Sequence, residues 1–257
     1  MMRSLLLGLW LLSTSAAHAA RPAVPLEVRA GDGERIPVQV LEPEGDAANP
    51  PVAVLLHGLT RSKEDWLADA PPTHGGALTE HLLKSGYRVY IMDARRHGER
   101  ATPEARPGQL ARRAHAGDTA PYQAMIVDTV RDAQALLAKV LAGSKPPRVL
   151  VAGYSMGAQV GLLLASREPR VTHLVTMVPP HVDPALGDAA PVNRMDRINP
   201  SWLLLTAAHD TFSTAENNQA LFDAAPSKHK VRKVFDSGHA LPREYVDEVR
   251  RWLAEAR

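Results

Sequence analysis

Hydrophobic residues in this chain come in short, nearly unbroken runs rather than in strict alternation. Pro51–Leu56, Tyr87–Met92, Arg148–Ala152, Val171–Val178, Trp202–Leu205 and Lys230–Phe235 each read as a strand, and near-continuous apolar strands are what a sheet covered on both faces requires. Between them, Ala77–Lys84, Tyr122–Leu141, Met156–Ser166, Ala215–Ala225 and Arg243–Ala256 place apolar residues at helical spacing. The alternation predicts an α/β architecture, a mostly parallel central sheet of about eight strands flanked by helices. The beginning differs: Leu26–Arg29 and Ile36–Leu41 flank the turn Gly31-Asp32-Gly33, which predicts an antiparallel opening pair. No internal linker interrupts the pattern, so residues 20–257 are expected to form a single domain. Two stretches fall outside it, Glu99–Pro121 with Arg100, Arg106, Arg112 and Arg113, and Pro179–Pro200. Both follow strands, so both are placed to border a ligand crevice at the carboxyl edge of the sheet.

The first residues follow another pattern. Arg3 precedes the apolar run Leu5–Leu12, and small residues then lead to Ala17-His18-Ala19-Ala20. A charged start, a short hydrophobic segment and an A-x-A site predict a signal peptide over residues 1–19 and a product that is periplasmic or secreted. The run is far shorter than the roughly twenty apolar residues a spanning helix needs, so no stable membrane insertion is expected after cleavage.

Composition narrows the chemistry. Thirty Lys plus Arg against 28 Asp plus Glu leave a formal charge of +2, which offers no broad basic field for nucleic acid. Cysteine is absent, which removes disulfides, thiolate nucleophiles and Cys-based metal sites together. Hydroxyl, imidazole, carboxylate and amide groups are left.

Gly153-Tyr154-Ser155-Met156-Gly157 places G-x-S-x-G where an apolar strand passes into a helix. A turn there presents the serine hydroxyl above the sheet, and small residues on either side permit its tightness. A serine hydroxyl needs a base, and the base needs an orienting acid, expected downstream in the order Ser, acid, His. Asp210 follows the strand ending Leu205-Thr206, and His239 follows the strand ending Phe235-Asp236. Asp183, after Val171–Val178, is the alternative acid; His209 and His229 do not follow the last strand and read as surface or supporting residues. Donors for a developing oxyanion are expected from the Met156 amide after the serine and from the Leu59 amide after Leu55-Leu56-His57-Gly58, with the His57 ring itself a packed residue.

The segments LLHGLTRSKEDW, VYIMDARRHGER, VAGYSMGAQ, LLLTAAHD and DSGHAL together resemble the α/β-hydrolase superfamily, particularly small single-domain bacterial esterases and the related dienelactone-hydrolase-like and peptidase-like branches. The resemblance spans residues 20–257 apart from the signal segment. It implies an α/β-hydrolase fold with a minimal cap, Ser155 as nucleophile, His239 as base and then acid, Asp210 as orienting acid, and the Leu59 and Met156 amides as oxyanion hole. The dienelactone-hydrolase branch commonly uses a cysteine nucleophile, which this chain lacks. Two departures stand out: Arg96 occupies a position where the family usually has glycine, and Arg100 one where it has a small hydroxyl residue; Asp93 and His97 read as structural. The expected activity is hydrolysis of a small carboxylic ester with a short or medium acyl chain or a modest aromatic acid, with no cofactor or metal required. The alternatives are an amide, peptide or thioester bond cleaved by the same residues, or a silent hydrolase fold used for binding. Export disfavours coenzyme A thioesters, and no propeller of the prolyl-oligopeptidase type accompanies the domain.

Overall fold

Eight strands, β1 (Val24–Arg29), β2 (Arg35–Leu41), β3 (Val52–Leu56), β4 (Arg88–Met92), β5 (Val149–Tyr154), β6 (His173–Met177), β7 (Ser201–Ala207) and β8 (Lys230–Phe235), form one sheet in the order β1-β2-β4-β3-β5-β6-β7-β8. The computed structural model describes residues 22–45 and 47–256; the expected signal segment lies outside them. β2 runs antiparallel to both β1 and β4, and every other pair is parallel. The opening pair has Val28 opposite Ile36 across the predicted turn. β3, β5 and β6 are buried at every residue, which is why their sequences show runs instead of alternation.

Side chains on successive strand positions point to opposite faces. Val54, Val151, Leu174 and Leu204 enter one core layer, under α3 (Ala120–Val140), α4 (Met156–Ala165) and α5 (Ala215–Ala224). Ala53, Leu55, Ala152, Val175, Leu203 and Leu205 enter the other, under α1 (Gly75–Lys84) and α6 (Tyr245–Glu255). All ten residues of α4 are buried. In α4 even Gln159 is satisfied: it accepts from Tyr122 Oη at 2.9 Å and donates to the Ala189 carbonyl at 2.8 Å, joining α3 to the segment after β6. Among the described residues no helix is long and apolar enough to cross a membrane.

The two irregular stretches contain more structure than their sequences suggest. Pro184–Ala189 and Pro191–Arg197 form 3-10 turns, and Pro107–His115 is a helix, α2. Leu110 is its only buried residue, with Ala111 and Ala114 half-buried beside it, so its apolar face is short and made mostly of alanine. Its signals lie at the ends: Pro107 opens the first turn, Arg112, Arg113 and His115 crowd the last, and Gly117 follows at φ 96°.

The departures after β4 have a physical account. Arg96 takes φ 66°, so the turn keeps the left-handed conformation that glycine adopts without penalty, at a cost of about 1–2 kcal/mol for a side-chain-bearing residue. Arg100 is buried; it donates to Asp132 at 2.7 Å and to Glu34 at 2.8 Å. Beside it Arg95 holds both oxygens of Asp132, at 2.7 and 2.8 Å. These pairs fasten the β4 turn to α3 and to the β1–β2 hairpin, and removing one partner of such a buried set costs about 3–5 kcal/mol.

Candidate active site

β5 lies at the centre of the sheet, between β3 and β6, and Ser155 stands at its carboxyl end with φ 54° and ψ −116° before α4 begins at Met156. Two contacts enforce this elbow. A Cβ on Gly153 would come within 2.1 Å of the Gly157 carbonyl oxygen, and one on Gly157 within 2.0 Å of the Leu56 carbonyl oxygen. No side chain fits at either position, so the glycines set how closely α4 approaches β5 and β3.

Two chain-distant side chains converge on the elbow. His239 Nε2 is 2.8 Å from Ser155 Oγ, and His239 Nδ1 is 3.0 Å from both oxygens of Asp210. A carboxylate only accepts, so Nδ1 carries the ring proton and Nε2 is left to accept from the serine hydroxyl. Asp210 also accepts from the Phe212 amide at 2.8 Å, and its side chain is 1% exposed against 24% for His239. The acid is thus enclosed and the base reachable. Asp183, the alternative acid, is exposed and caps its own 3-10 turn by accepting from Ala185 N at 2.8 Å. His209 pairs with Asp236 on the surface, and the His229 carbonyl belongs to the β7–β8 ladder, accepting from Trp202 N.

A model of the family described as "Alpha/beta hydrolase family" matches residues 53–256. The chain belongs to this alpha/beta hydrolase family. Its fold is similar to that of an esterase from Pyrococcus furiosus, with TM-score 0.66 and 20% identity over 91% of this chain and 93% of that one. It is also similar to a cold-adapted esterase from an Arctic intertidal metagenomic library, with TM-score 0.68 and 20% identity over 91% and 92% of the two chains. A Xanthomonas campestris α/β serine hydrolase without a lid aligns with TM-score 0.61 and 21% identity over 91% and 92%. No curated protein matches the chain in sequence.

In this alpha/beta hydrolase one expected oxyanion amide, Met156 N, adjoins the serine directly, and the other, Leu59 N, follows a glycine packed against it. Met156 N opens α4, where the first amides have no intrahelical acceptor. Gly58 packs against the elbow, since a Cβ there would lie 3.6 Å from both Ser155 Cβ and the Tyr154 carbonyl oxygen; Leu59 follows it. Among the described residues neither the Leu59 nor the Met156 amide has a backbone acceptor.

Two buried imidazoles hold that loop. His57 donates from Nδ1 to the Gly58 carbonyl at 2.9 Å and accepts at Nε2 from Ala94 N at 3.1 Å. His97 donates from Nδ1 to the Arg95 carbonyl at 2.7 Å and accepts at Nε2 from Thr60 N at 3.2 Å. Both rings must be neutral to accept. Burial keeps the His57 ring below the usual imidazole range and, helped by the neighbouring His57, pulls His97 down to about 4. Asp93 works beneath them, accepting from Lys63 N at 2.9 Å, Lys63 Nζ at 3.0 Å and Glu99 N at 3.0 Å.

The sequence motifs missed two residues. Tyr154, the variable position before the serine, donates to the His239 carbonyl at 2.9 Å and accepts from Leu241 N at 2.8 Å. Phe212, 58% exposed, lies with its ring 4.5 Å from the His239 ring and walls the open side of the imidazole. A bulky apolar residue two positions after a candidate acid was the available signal for Phe212; for Tyr154 none was visible, because its role depends on a chain segment 85 residues away.

Proposed function

We propose that this protein is a serine hydrolase of carboxylic esters, with Ser155 as nucleophile, His239 as general base and acid, and Asp210 as the orienting acid. The observation that carries the reading is the unbroken hydrogen-bond chain from Ser155 Oγ through the His239 ring to Asp210, mounted on an elbow with the serine at positive φ. Oγ attacks the ester carbonyl as its proton passes to His239 Nε2, and the oxyanion is received by the Leu59 and Met156 amides. The C–O bond then breaks, and Nε2–H protonates the leaving alcohol. Water enters on the same side, gives its proton to Nε2 and attacks the acyl-enzyme; collapse releases the acid and returns the proton to Ser155. Asp210 holds the tautomer throughout and offsets the charge of the imidazolium.

Two of the structural neighbours are esterases, which favours an ester over an amide. The substrate class we propose is an ester of a short or medium acyl chain or of a modest aromatic acid. The N-terminal pattern supports export, with Ala20 as the first residue of the processed chain; N-terminal sequencing of the periplasmic or secreted product checks that.

Residues 20–257 should hydrolyse p-nitrophenyl acetate and butyrate and take up a fluorophosphonate label. Ser155→Ala should do neither, with turnover reduced by several orders of magnitude. A wild-type protein that neither labels nor turns over would leave a silent fold used for binding, and a Ser155→Ala protein that retains activity would remove the nucleophile assignment. Labelling without ester turnover would move the bond to an amide or peptide.

A further inference from the structure

Along the loop that follows Leu59 lies a cleft of about 380 Å³ whose lining includes Thr60, Arg61, Arg96, Gly108, Arg106 and Arg112 and contains no Asp or Glu. Arg61 is engaged by Asp65 at 2.6 Å. Arg96, Arg106 and Arg112 have no carboxylate partner among the described residues and are exposed. Of the acids nearby in sequence, Glu99 pairs with Lys63 at 2.7 Å and also with Arg35, Asp118 pairs with Arg113, and Glu104 alone is unpaired among the described residues, sharing a neighbouring hollow with Arg96. Glu104 lines the adjoining hollow with Arg112 and Arg113 and pairs with neither.

The loop that lines the cleft packs against the elbow through Gly58. A Cβ on Gly58 would touch Ser155 Cβ and Arg61 Cγ, each at 3.6 Å, and one on Gly108 would touch Thr60 Cγ2 at 3.4 Å and Arg112 Nη1 at 3.7 Å. Gly58 thus packs between Ser155 and Arg61, and Gly108 between Thr60 and Arg112, so the loop next to the serine and the start of α2 share the wall of the cleft. Ser155, His239 and Phe212 do not line this cleft, which adjoins the elbow through the loop of Gly58, Thr60 and Arg61 and not through the imidazole side. The leaving alcohol must lie within reach of His239 to be protonated, so the group that enters the cleft belongs to the acyl side of the ester.

Resting on the reading of Ser155 as an ester-cleaving nucleophile, we propose that the substrate's acyl group ends in an oxyanion, carboxylate or phosphate, which Arg96, Arg106 and Arg112 bind. Three guanidiniums facing one cavity repel one another unless water or an anion lies between them. Planar guanidinium forks match either oxyanion with paired charge-assisted hydrogen bonds. A monoester of a dicarboxylic acid is the simplest ligand of this kind.

The test compares kcat/KM for the monoethyl esters of succinate, glutarate, adipate and pimelate with that for neutral ethyl esters of equal chain length. Wild type should prefer the anionic member of at least one pair by about tenfold or more, the effect of one charge-assisted hydrogen bond. In the double variant Arg106→Gln/Arg112→Gln that ratio should fall toward one. Calorimetry with adipate and with inorganic phosphate separates the two oxyanions and reads the site without turnover; binding should be lost in the double variant while the melting temperature is retained. An enzyme that hydrolyses p-nitrophenyl acetate but shows no anionic preference and binds neither anion overturns the inference and leaves the hydrolase reading intact. A protein that takes no fluorophosphonate label yet binds adipate through these arginines overturns the hydrolase reading and the acyl assignment with it, leaving an anion site.

Discussion

The Tyr154 hydroxyl stands between the His239 carbonyl, to which it donates at 2.9 Å, and the Leu241 amide, from which it accepts at 2.8 Å. The residue before the serine thus holds the backbone on both sides of the imidazole's turn. Burial pushes the Tyr154 hydroxyl up to about 12, so it remains a donor at any working pH. Tyr154→Phe leaves both backbone groups unpaired. Stability should fall by about 1–3 kcal/mol, and kcat by about 10- to 100-fold as the imidazole loses its placement, with KM changing much less. A variant with wild-type kcat would show that the hydroxyl supports the fold alone.

Asp210 touches His239 only at Nδ1. Asp210→Asn keeps the shape but offers the ring an NH2 group as readily as a carbonyl, so the tautomer with a free Nε2 is lost. Ester turnover should drop by about 10³- to 10⁴-fold while the melting temperature stays close to wild type. Asp183→Asn should leave turnover unchanged, since that carboxylate faces only its own turn; the reverse pattern would transfer the acid role.

Acid should loosen the fold well before the carboxylates titrate. His97 is held neutral down to about 4 against 6.5 for a free imidazole, so between those values the unfolded chain takes up a proton that the folded chain refuses. Its contribution is complete above pH 6.5 and shrinks as pH falls toward 4, by roughly 3 kcal/mol in all. Urea unfolding at pH 7 and at 4.5 measures it. His97→Gln, which can accept from Thr60 N without titrating, should flatten the slope. An unchanged slope in that variant would assign the acid sensitivity to other groups.

Gly157→Ala tests the elbow's packing. A methyl at 2.0 Å from the Leu56 carbonyl forces α4 away from β3, with a loss of about 1–3 kcal/mol or more and of esterase activity. Thermal melts and p-nitrophenyl acetate turnover read both, and a protein unaffected in either would contradict the contact.

Much of this was legible along the chain, because the information was local. Buried strands such as Val52–Leu56 declare themselves by composition, and Gly153 and Gly157 mark a turn that admits little else. The positions of Asp210 and His239 after consecutive strands were legible because chain order maps onto neighbouring strands of the sheet. What escaped depended on surroundings. α2 buries only Leu110 and half-buries Ala111 and Ala114, an apolar face too small to stand out among its arginines. Arg100 reads as a loop charge until Asp132, Glu34 and the β4 turn close around it. Tyr154 and Phe212 acquire their roles only from segments that folding brings to them.

Ser155 rises from the fully buried β5, whereas His239 hangs from the loop after β8, an edge strand bonded only to β7, with Val231 and Val234 about half exposed. The proposed nucleophile and its proposed base therefore hang from strands of unequal local stability. An edge strand with one neighbour frays at a lower free energy than the strands inside, and its departure carries off the imidazole while the serine elbow still stands. Catalysis would then end at a milder denaturant concentration than the loss of helical signal.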